Sequence, residues 1–214
     1  MRFLIAVAAI FSLHGAIIDR IAIVVGKRPV LDSAIERDIR VTSFLNREPV
    51  DFSVGSKKQS ASRLIDQEII REQIRNGDYP VAPQSEADEL LAELKKERFT
   101  SDVQYRRALT QAGLTEDDLR DRLLWQMTVL RFIDARFRPA VVVSDEEVQR
   151  YYNSHRSEFK ETLDDARERI IDQITGERVN ALLDEWLKEQ RKQTRIEYME
   201  KSLQMTAQTA DGQK

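Results

Sequence analysis

Apolar residues recur at intervals of three and four along most of the chain, and this spacing predicts amphipathic helices. We expect such helices over about residues 60–75, 115–137 and 162–192. The second carries an apolar stripe that includes Leu119, Leu123 and Leu130 and is wider than a surface helix needs, so it is expected at the centre of the core. The third would be roughly 45 Å long at 1.5 Å per residue, and it must pack back on the earlier helices to bury its apolar face.

Two stretches carry the pattern of β-strands instead. Residues 17–31 are rich in Ile and Val, and a turn at Gly26-Lys27 divides them into a hairpin. Residues 194–200 alternate in polarity and are expected to pair with this hairpin. The predicted fold is therefore mainly α: a multi-helix core with a small N-terminal β-hairpin, and a long C-terminal helix plus short strand packing back on it.

Helix starts are indicated where a hydroxyl residue is followed three positions later by an acid or amide. Residues 47–59, with Pro49 and Gly55, are expected to form a loop, and Gly113 occupies the position of a C-cap glycine. The pairs with capping spacing are Ser33/Glu36, Ser85/Asp88, Ser101/Gln104, Thr115/Asp118, Ser144/Glu147 and Thr162/Asp165.

The first residues have the layout of a secretory signal peptide. Arg2 is basic, Phe3 to Leu13 is uncharged and apolar, and the small residues Gly15 and Ala16 follow. The apolar run is too short to span a bilayer comfortably. We therefore expect cleavage of residues 1–16, a periplasmic mature chain and no stable membrane insertion. A first buried strand and an uncleaved anchor are the alternatives.

Charge and composition narrow the possible partners and chemistry. The net charge is −3 with both signs interspersed, which argues against nucleic acid as the main partner because phosphate binding needs a basic face. The chain has no cysteine, so disulfides, thiolate catalysis and cysteine-type zinc sites are excluded. At 214 residues, one domain or two small ones are expected.

No constellation of catalytic or metal-ligating residues stands out. The mature chain would hold a single histidine, His155, so no histidine pair has metal-ligand spacing. Its glycines are isolated and form no phosphate-binding loop. The carboxylate pairs at 117–118 and 164–165 fall in first helical turns, where capping and the helix dipole explain them. The sequence therefore predicts no enzyme, no cofactor and no metal site.

Aromatic and apolar residues at helix ends and junctions are the remaining candidates for function. Core packing is the simpler interpretation. The alternative is a groove that holds an extended, apolar polypeptide, because aromatic side chains adapt to varied partners. On side-chain character alone, the candidate contacts with a bound client are Phe44, Leu45, Trp125, Phe132, Tyr151 and Tyr152.

The order of these elements resembles a known family. "IIDRIAIVVGKRPVLDSAIERDI", "RLIDQEIIREQIRNGDYPVAPQSEADE" and "FTSDVQYRRALTQAGLTEDDLRDRLLWQMTVLRFI" resemble the N-terminal domain of SurA-type periplasmic chaperones, and more loosely of PpiD and PrsA. "ARERIIDQITGERVNALLDEWLKEQRKQTRIEYM" resembles the C-terminal helix and strand of that family. The resemblance implies a helical domain over residues 17–159, completed by residues 160–200. The end of the chain, residues 201–214, is polar and is expected to be a disordered tail.

The family usually carries parvulin prolyl-isomerase domains between these two parts. Here only Lys160 and Glu161 stand between Phe159 and Thr162, so no catalytic residue carries over. The resemblance implies an ATP-independent holdase for unfolded polypeptides, especially outer-membrane β-barrel proteins, without isomerase activity. The alternatives are a prolyl isomerase of the SurA/PpiC type and a non-catalytic envelope assembly module with one dedicated partner.

Overall fold

A computed structural model describes residues 19–204, in which three short strands form one antiparallel sheet beneath seven α-helices. The strands are β1 (Ile21–Val25), β2 (Arg28–Leu31) and β3 (Ile196–Tyr198), in the order β2-β1-β3. The helices are α1 (Asp32–Asn46), α2 (Val54–Gly77), α3 (Gln84–Arg98), α4 (Asp102–Ala112), α5 (Glu116–Arg136), α6 (Asp145–Ser154) and α7 (Leu163–Gln193). This arrangement confirms the predicted fold class. The predicted signal peptide, residues 1–16, lies outside the described residues.

The two ends of the described chain meet in the sheet. Strand β3 pairs antiparallel with β1, so that Val25 lies opposite Ile196. Beyond β3, a short 3-10 turn at Lys201–Leu203 returns to the core, where Leu203 is buried. Disorder predicted from residue 201 onward is therefore wrong for residues 201–204. Apolar burial explains the error, because Leu203 packs with the β1, α1 and α2 side chains beneath the sheet.

Helix α5 is central, as its wide apolar pattern predicts. Its first half buries Leu119 and Leu123 against α3 and α4, while its second half buries Phe132 against α2 and α7. Leu123 and Phe132 point about 180° apart at 100° per residue, so the helix is covered on opposite sides. Leu130, assigned to the buried stripe by its spacing, is 53% exposed because the covered side changes before it.

Four of the predicted caps are confirmed. The side chains of Ser101, Thr115, Ser144 and Thr162 each accept a hydrogen bond from the backbone N–H three residues later. Gly113 has φ 65° and ends α4, as its position predicts.

The caps predicted at Ser33 and Ser85 are wrong, because α1 and α3 each begin one residue before these serines. The Ser33 side chain donates instead to the Asp19 carboxylate. Helix α2 begins at Val54 rather than near Ser60, because Ser53 caps it. The loop predicted over 47–59 is correspondingly shorter.

Helix α7 packs on two different partners along its length. Its first half and α6 bury a cluster of their own that includes Val148, Phe159 and Ile170. Its second half returns to α2, where Arg191 Nε donates to Asp66 Oδ1 at 2.6 Å. Gly176 lies between these two halves, and no neighbouring atom lies within 4 Å of the position where a Cβ would stand.

Gly176→Ala is expected to raise the free energy of unfolding by about 1 kcal/mol, since alanine lowers the entropy cost of a helix interior and meets no clash here. Urea unfolding followed by circular dichroism measures it. Gly113→Ala is the matched control and should destabilise, because φ is 65° and Arg40 Nη1 lies 2.6 Å from the added Cβ. A less stable Gly176→Ala protein would contradict the open geometry.

The capping box at the start of α6, formed by Ser144 and Glu147, should make the stability of the fold depend on pH. A hydrogen bond from Arg178, and then one from the Ser144 backbone, lower the pKa of Glu147 from 4.5 to about 2. Because this pKa is lower in the folded state, the Glu147 contribution is present above pH 4.5 and is lost as the pH falls towards 2. In urea titrations, Glu147→Gln should flatten the loss of stability over this range. The control Glu93→Gln, on α3, should leave the slope unchanged; equal slopes for both variants would contradict the assignment.

Candidate functional site

One side of α2 lines three depressions in succession, which we call together the α2 trough; the second and third share Arg71, Asp121 and Trp125. The first lies beside the α1–α2 loop, the second between α1, α2 and α5, and the third between α2, α5 and the segment before α3. From residue 56 to residue 75 the trough follows α2 for roughly 28 Å at 1.5 Å per residue. The lining α2 residues include Ser56, Gln59, Arg63, Gln67, Arg71 and Arg75.

A buried carboxylate fixes the helices where the first and second depressions meet. The Asp38 side chain, on α1, is only 3% exposed. It accepts from Arg63 Nη2 of α2 at 2.6 Å and from Arg122 Nη1 of α5 at 2.7 Å. Arg122 also donates to the Thr42 hydroxyl at 3.2 Å. Burying a carboxylate is costly unless charged donors compensate, so Asp38 requires both arginines and thereby fixes the spacing of α1, α2 and α5.

Trp125 lies between the second and third depressions and lines both. The indole is half-buried on α5, and the Arg71 guanidinium of α2 stands 4.3 Å above its ring. Apolar side chains flank it: Val41 and Leu64 in the second depression, and Val81 in the third. The depressions hold about 210 and 510 Å³ respectively, so the indole separates two spaces that admit side chains.

The first depression ends at the α1–α2 loop, where the loop and the first residue of α2 expose apolar side chains. Val50, Phe52 and Val54 are 40%, 39% and 56% exposed. Asp51 holds the loop, because it accepts from Ser53 N at 2.8 Å and also from the Ser53 and Ser56 hydroxyls. These hydrogen bonds lower the pKa of Asp51, and the bond from the Ser56 hydroxyl has the largest effect. The alternation of Val50, Phe52 and Val54 is the sequence signal for this exposed apolar surface, whereas Pro49 and Gly55 predict only a connecting loop.

Only one of the six candidate client contacts, Trp125, lines the α2 trough. Phe132 is fully buried, and its ring packs against Phe137 and Trp186. Tyr152 is buried too, and its hydroxyl donates to Glu161 O at 2.7 Å. Assigning Phe132 and Tyr152 to a client surface is therefore wrong for this conformation, since neither offers side-chain area to a partner.

The other three candidates lie elsewhere. Phe44 and Leu45 are half-buried and pack against the core of α3, α4 and α5, where Phe44 stacks on Phe99 at 6.2 Å. Tyr151 lines an open depression between α6 and α7, and its ring stacks on His155 at 4.1 Å. The structure thus does not bring the six residues together, and the trough depends on residues that aromatic character alone did not single out.

Residues 19–204 contain neither a metal site nor a membrane-spanning helix. Within this range, no three or more His, Asp or Glu side chains are grouped so that they could hold a metal ion. None of the helices in the described part of the chain is long and apolar enough to cross a membrane.

Comparison with known proteins gives a distant similarity. No family model matches the chain. The chain is 24% identical over 125 residues to Foldase protein PrsA from two strains of Clostridium kluyveri. The match covers 54% of this chain but only 36% of the length of these relatives. The similarity agrees with the looser part of the resemblance drawn from the sequence, which included PrsA, while the SurA-type assignment stays a prediction.

Asp38→Ala should lower the free energy of unfolding by about 3 kcal/mol, because it leaves the guanidinium groups of Arg63 and Arg122 without their shared acceptor. Urea unfolding of the full chain measures the change. Asp172→Ala removes an exposed acid from α7 and is the control, with an expected effect within about 0.5 kcal/mol. If the two substitutions had similar effects, the three helices would not depend on the Asp38 ion pairs.

Proposed function

We propose that the α2 trough binds extended segments of unfolded polypeptide, and that the protein is an ATP-independent folding chaperone. The observation that carries this proposal is the trough itself, with Trp125 half-buried along its course. An extended chain advances about 3.3 Å per residue, so a trough of roughly 28 Å holds about eight residues. That length suits a stretch of unfolded chain better than a small metabolite.

The lining of the trough favours broad rather than sequence-specific binding. Apolar side chains such as Val41 and Leu64 alternate with arginines and carboxylates. Gln59 and Gln67 add amide groups, which both donate and accept hydrogen bonds and therefore suit the backbone of any sequence. Trp125 supplies a rigid aromatic surface, which is the kind of side chain that concentrates binding energy at protein interfaces.

The distant similarity to Foldase protein PrsA supports a role in protein folding. The N-terminal layout of residues 1–16 supports export, and we propose the periplasm as the place of action. Outer-membrane β-barrel proteins are the proposed clients, because the sequence resembles SurA-type chaperones and because unfolded β-strands are extended segments of suitable length.

The proposed mechanism is binding without isomerisation. The two residues between Phe159 and Thr162 form a tight connection, where the Tyr152 hydroxyl donates to Glu161 O and Arg169 pairs with the Glu161 carboxylate. With this protein present, exchange of a cis X–Pro peptide is expected to keep its uncatalysed time of tens of seconds. Catalysed exchange would favour the isomerase alternative instead.

Trp125→Ala is expected to weaken binding of a labelled, unstructured ten-residue peptide about tenfold, because it removes the aromatic anchor of the trough. Fluorescence anisotropy measures the affinity, and light scattering of a denatured model protein measures suppression of aggregation. Leu130→Ala is the matched control, since Leu130 is an exposed apolar residue of the same helix that does not line the trough.

Equal binding by the Trp125→Ala and Leu130→Ala variants would move the site away from the trough. A lack of any suppression by the unmodified protein at stoichiometric amounts would overturn the chaperone proposal. Capture of one stoichiometric protein, in place of many unfolded ones, would support the assembly-module alternative.

A further inference from the structure

We propose that the α2 trough selects client segments carrying a lysine or arginine, whose cationic group is held at Trp125 between the indole ring and the Asp121 carboxylate. This inference rests on the proposed function and specifies which clients the same site prefers. Three features support it. The Asp121 carboxylate has no ion pair among residues 19–204, the Arg71 guanidinium already lies over the indole, and Arg71 is held there only weakly.

Asp121 is the unpaired acid at the centre of the trough. It lies one helical turn before Trp125 on α5, is exposed, and lines both the second and the third depressions. Among residues 19–204 it forms no hydrogen bond or ion pair, so its charge is available to a partner.

The other carboxylates of the second depression are already neutralised. Asp38 accepts from Arg63 and Arg122. Asp118 pairs with Arg37 at 3.2 Å and also accepts from the Thr115 backbone N–H at 2.8 Å. A cation entering this depression therefore meets one negative charge without a partner, and that charge adjoins Trp125.

Two of the three arginines that line the second depression are paired with its carboxylates, Arg37 with Asp118 and Arg122 with Asp38. The third, Arg71, lies over the indole of Trp125. Arg75 has no ion pair among residues 19–204, but it lines only the third depression. Once Arg71 moves aside, a side chain that enters the space between α1, α2 and α5 meets the Asp121 carboxylate, which favours a basic side chain.

The chain itself shows that a guanidinium fits the indole. Arg71 places its Cζ 4.3 Å from the ring of Trp125, which is within cation–π range. Its one ion pair within the described chain is with Glu68, three residues earlier on α2, at 3.5 Å; the Arg71 side chain is 43% exposed and that of Glu68 is 23% exposed. Ion pairs between residues three apart on a helix contribute little, so a client cation can displace Arg71 and take its position.

The test uses the full chain and two labelled ten-residue peptides, identical except for a central Lys or Glu. Anisotropy should show roughly fivefold tighter binding of the Lys peptide, from the combined cation–π and ion-pair contributions. Asp121→Lys should abolish or reverse this preference. Arg71→Gln should tighten binding of the Lys peptide about twofold, because it removes the internal competitor.

Asp172→Lys is the matched control, since it makes the same charge change at an exposed acid of α7 that lines no part of the trough. It should keep the Lys preference, and urea midpoints should confirm that every variant is folded.

Two outcomes separate this inference from the proposed function. If both peptides bind equally, Asp121→Lys has no effect, and Trp125→Ala still weakens both, the charge selection is wrong while the trough remains the binding site. If neither peptide binds the unmodified protein, the proposed function fails, and the inference fails with it. A preference that disappears equally in Asp121→Lys and Asp172→Lys would reduce the effect to net charge and overturn the inference.

Discussion

The pairing of β3 with β1 is the constraint on which the rest of this structure depends. It joins the two ends of the described chain and brings α7 back against α2. Helix α2 is consequently held from two directions, by the sheet and α1 on one side and by α7 on the other. Arg191 of α7 strengthens this contact through Asp66 and through the Ser62 backbone oxygen at 2.9 Å. Because α2 is held from two directions, the side of this helix that lines the trough keeps its shape.

The proposed binding surface and the stability of the fold share residues. Asp38 and its two arginines fix three helices and at the same time form the junction of two depressions. Such sharing means that the trough exists before a client arrives, and a preformed site avoids the entropy cost of ordering itself during binding. It also limits how far the trough can adapt, since moving α1 away from α5 would expose a buried carboxylate.

Local signals in the sequence predicted the parts of the fold that depend on local interactions. Hydroxyl caps at Ser101, Thr115, Ser144 and Thr162 follow from hydrogen bonds within four residues, and the hairpin follows from its turn. The failures have the opposite character. Ser33 had the spacing of a cap but is engaged by Asp19, and Leu130 had the spacing of a core residue but lies where α5 changes its covered side.

The candidate site shows the same limit. Aromatic character makes Trp125 and Phe132 equal candidates, because burial is decided by residues distant in the sequence. Asp38 and Asp121 look alike in the sequence, as acids on amphipathic helices. One is buried between two arginines and the other has no partner among residues 19–204, and only the packing of α1, α2 and α5 makes that distinction.

The β1–β3 pairing also sets the order in which this chain can fold. Val25 pairs with Ile196, so the sheet cannot close until the chain has been synthesised through Ile196, and a loop of this length is slow to close. Until then, the edge of β1 that receives β3 stays unpaired, and the core beneath the sheet lacks Leu203. A protein proposed to shield other unfolded chains thus passes through a stage in which its own first strand needs shielding.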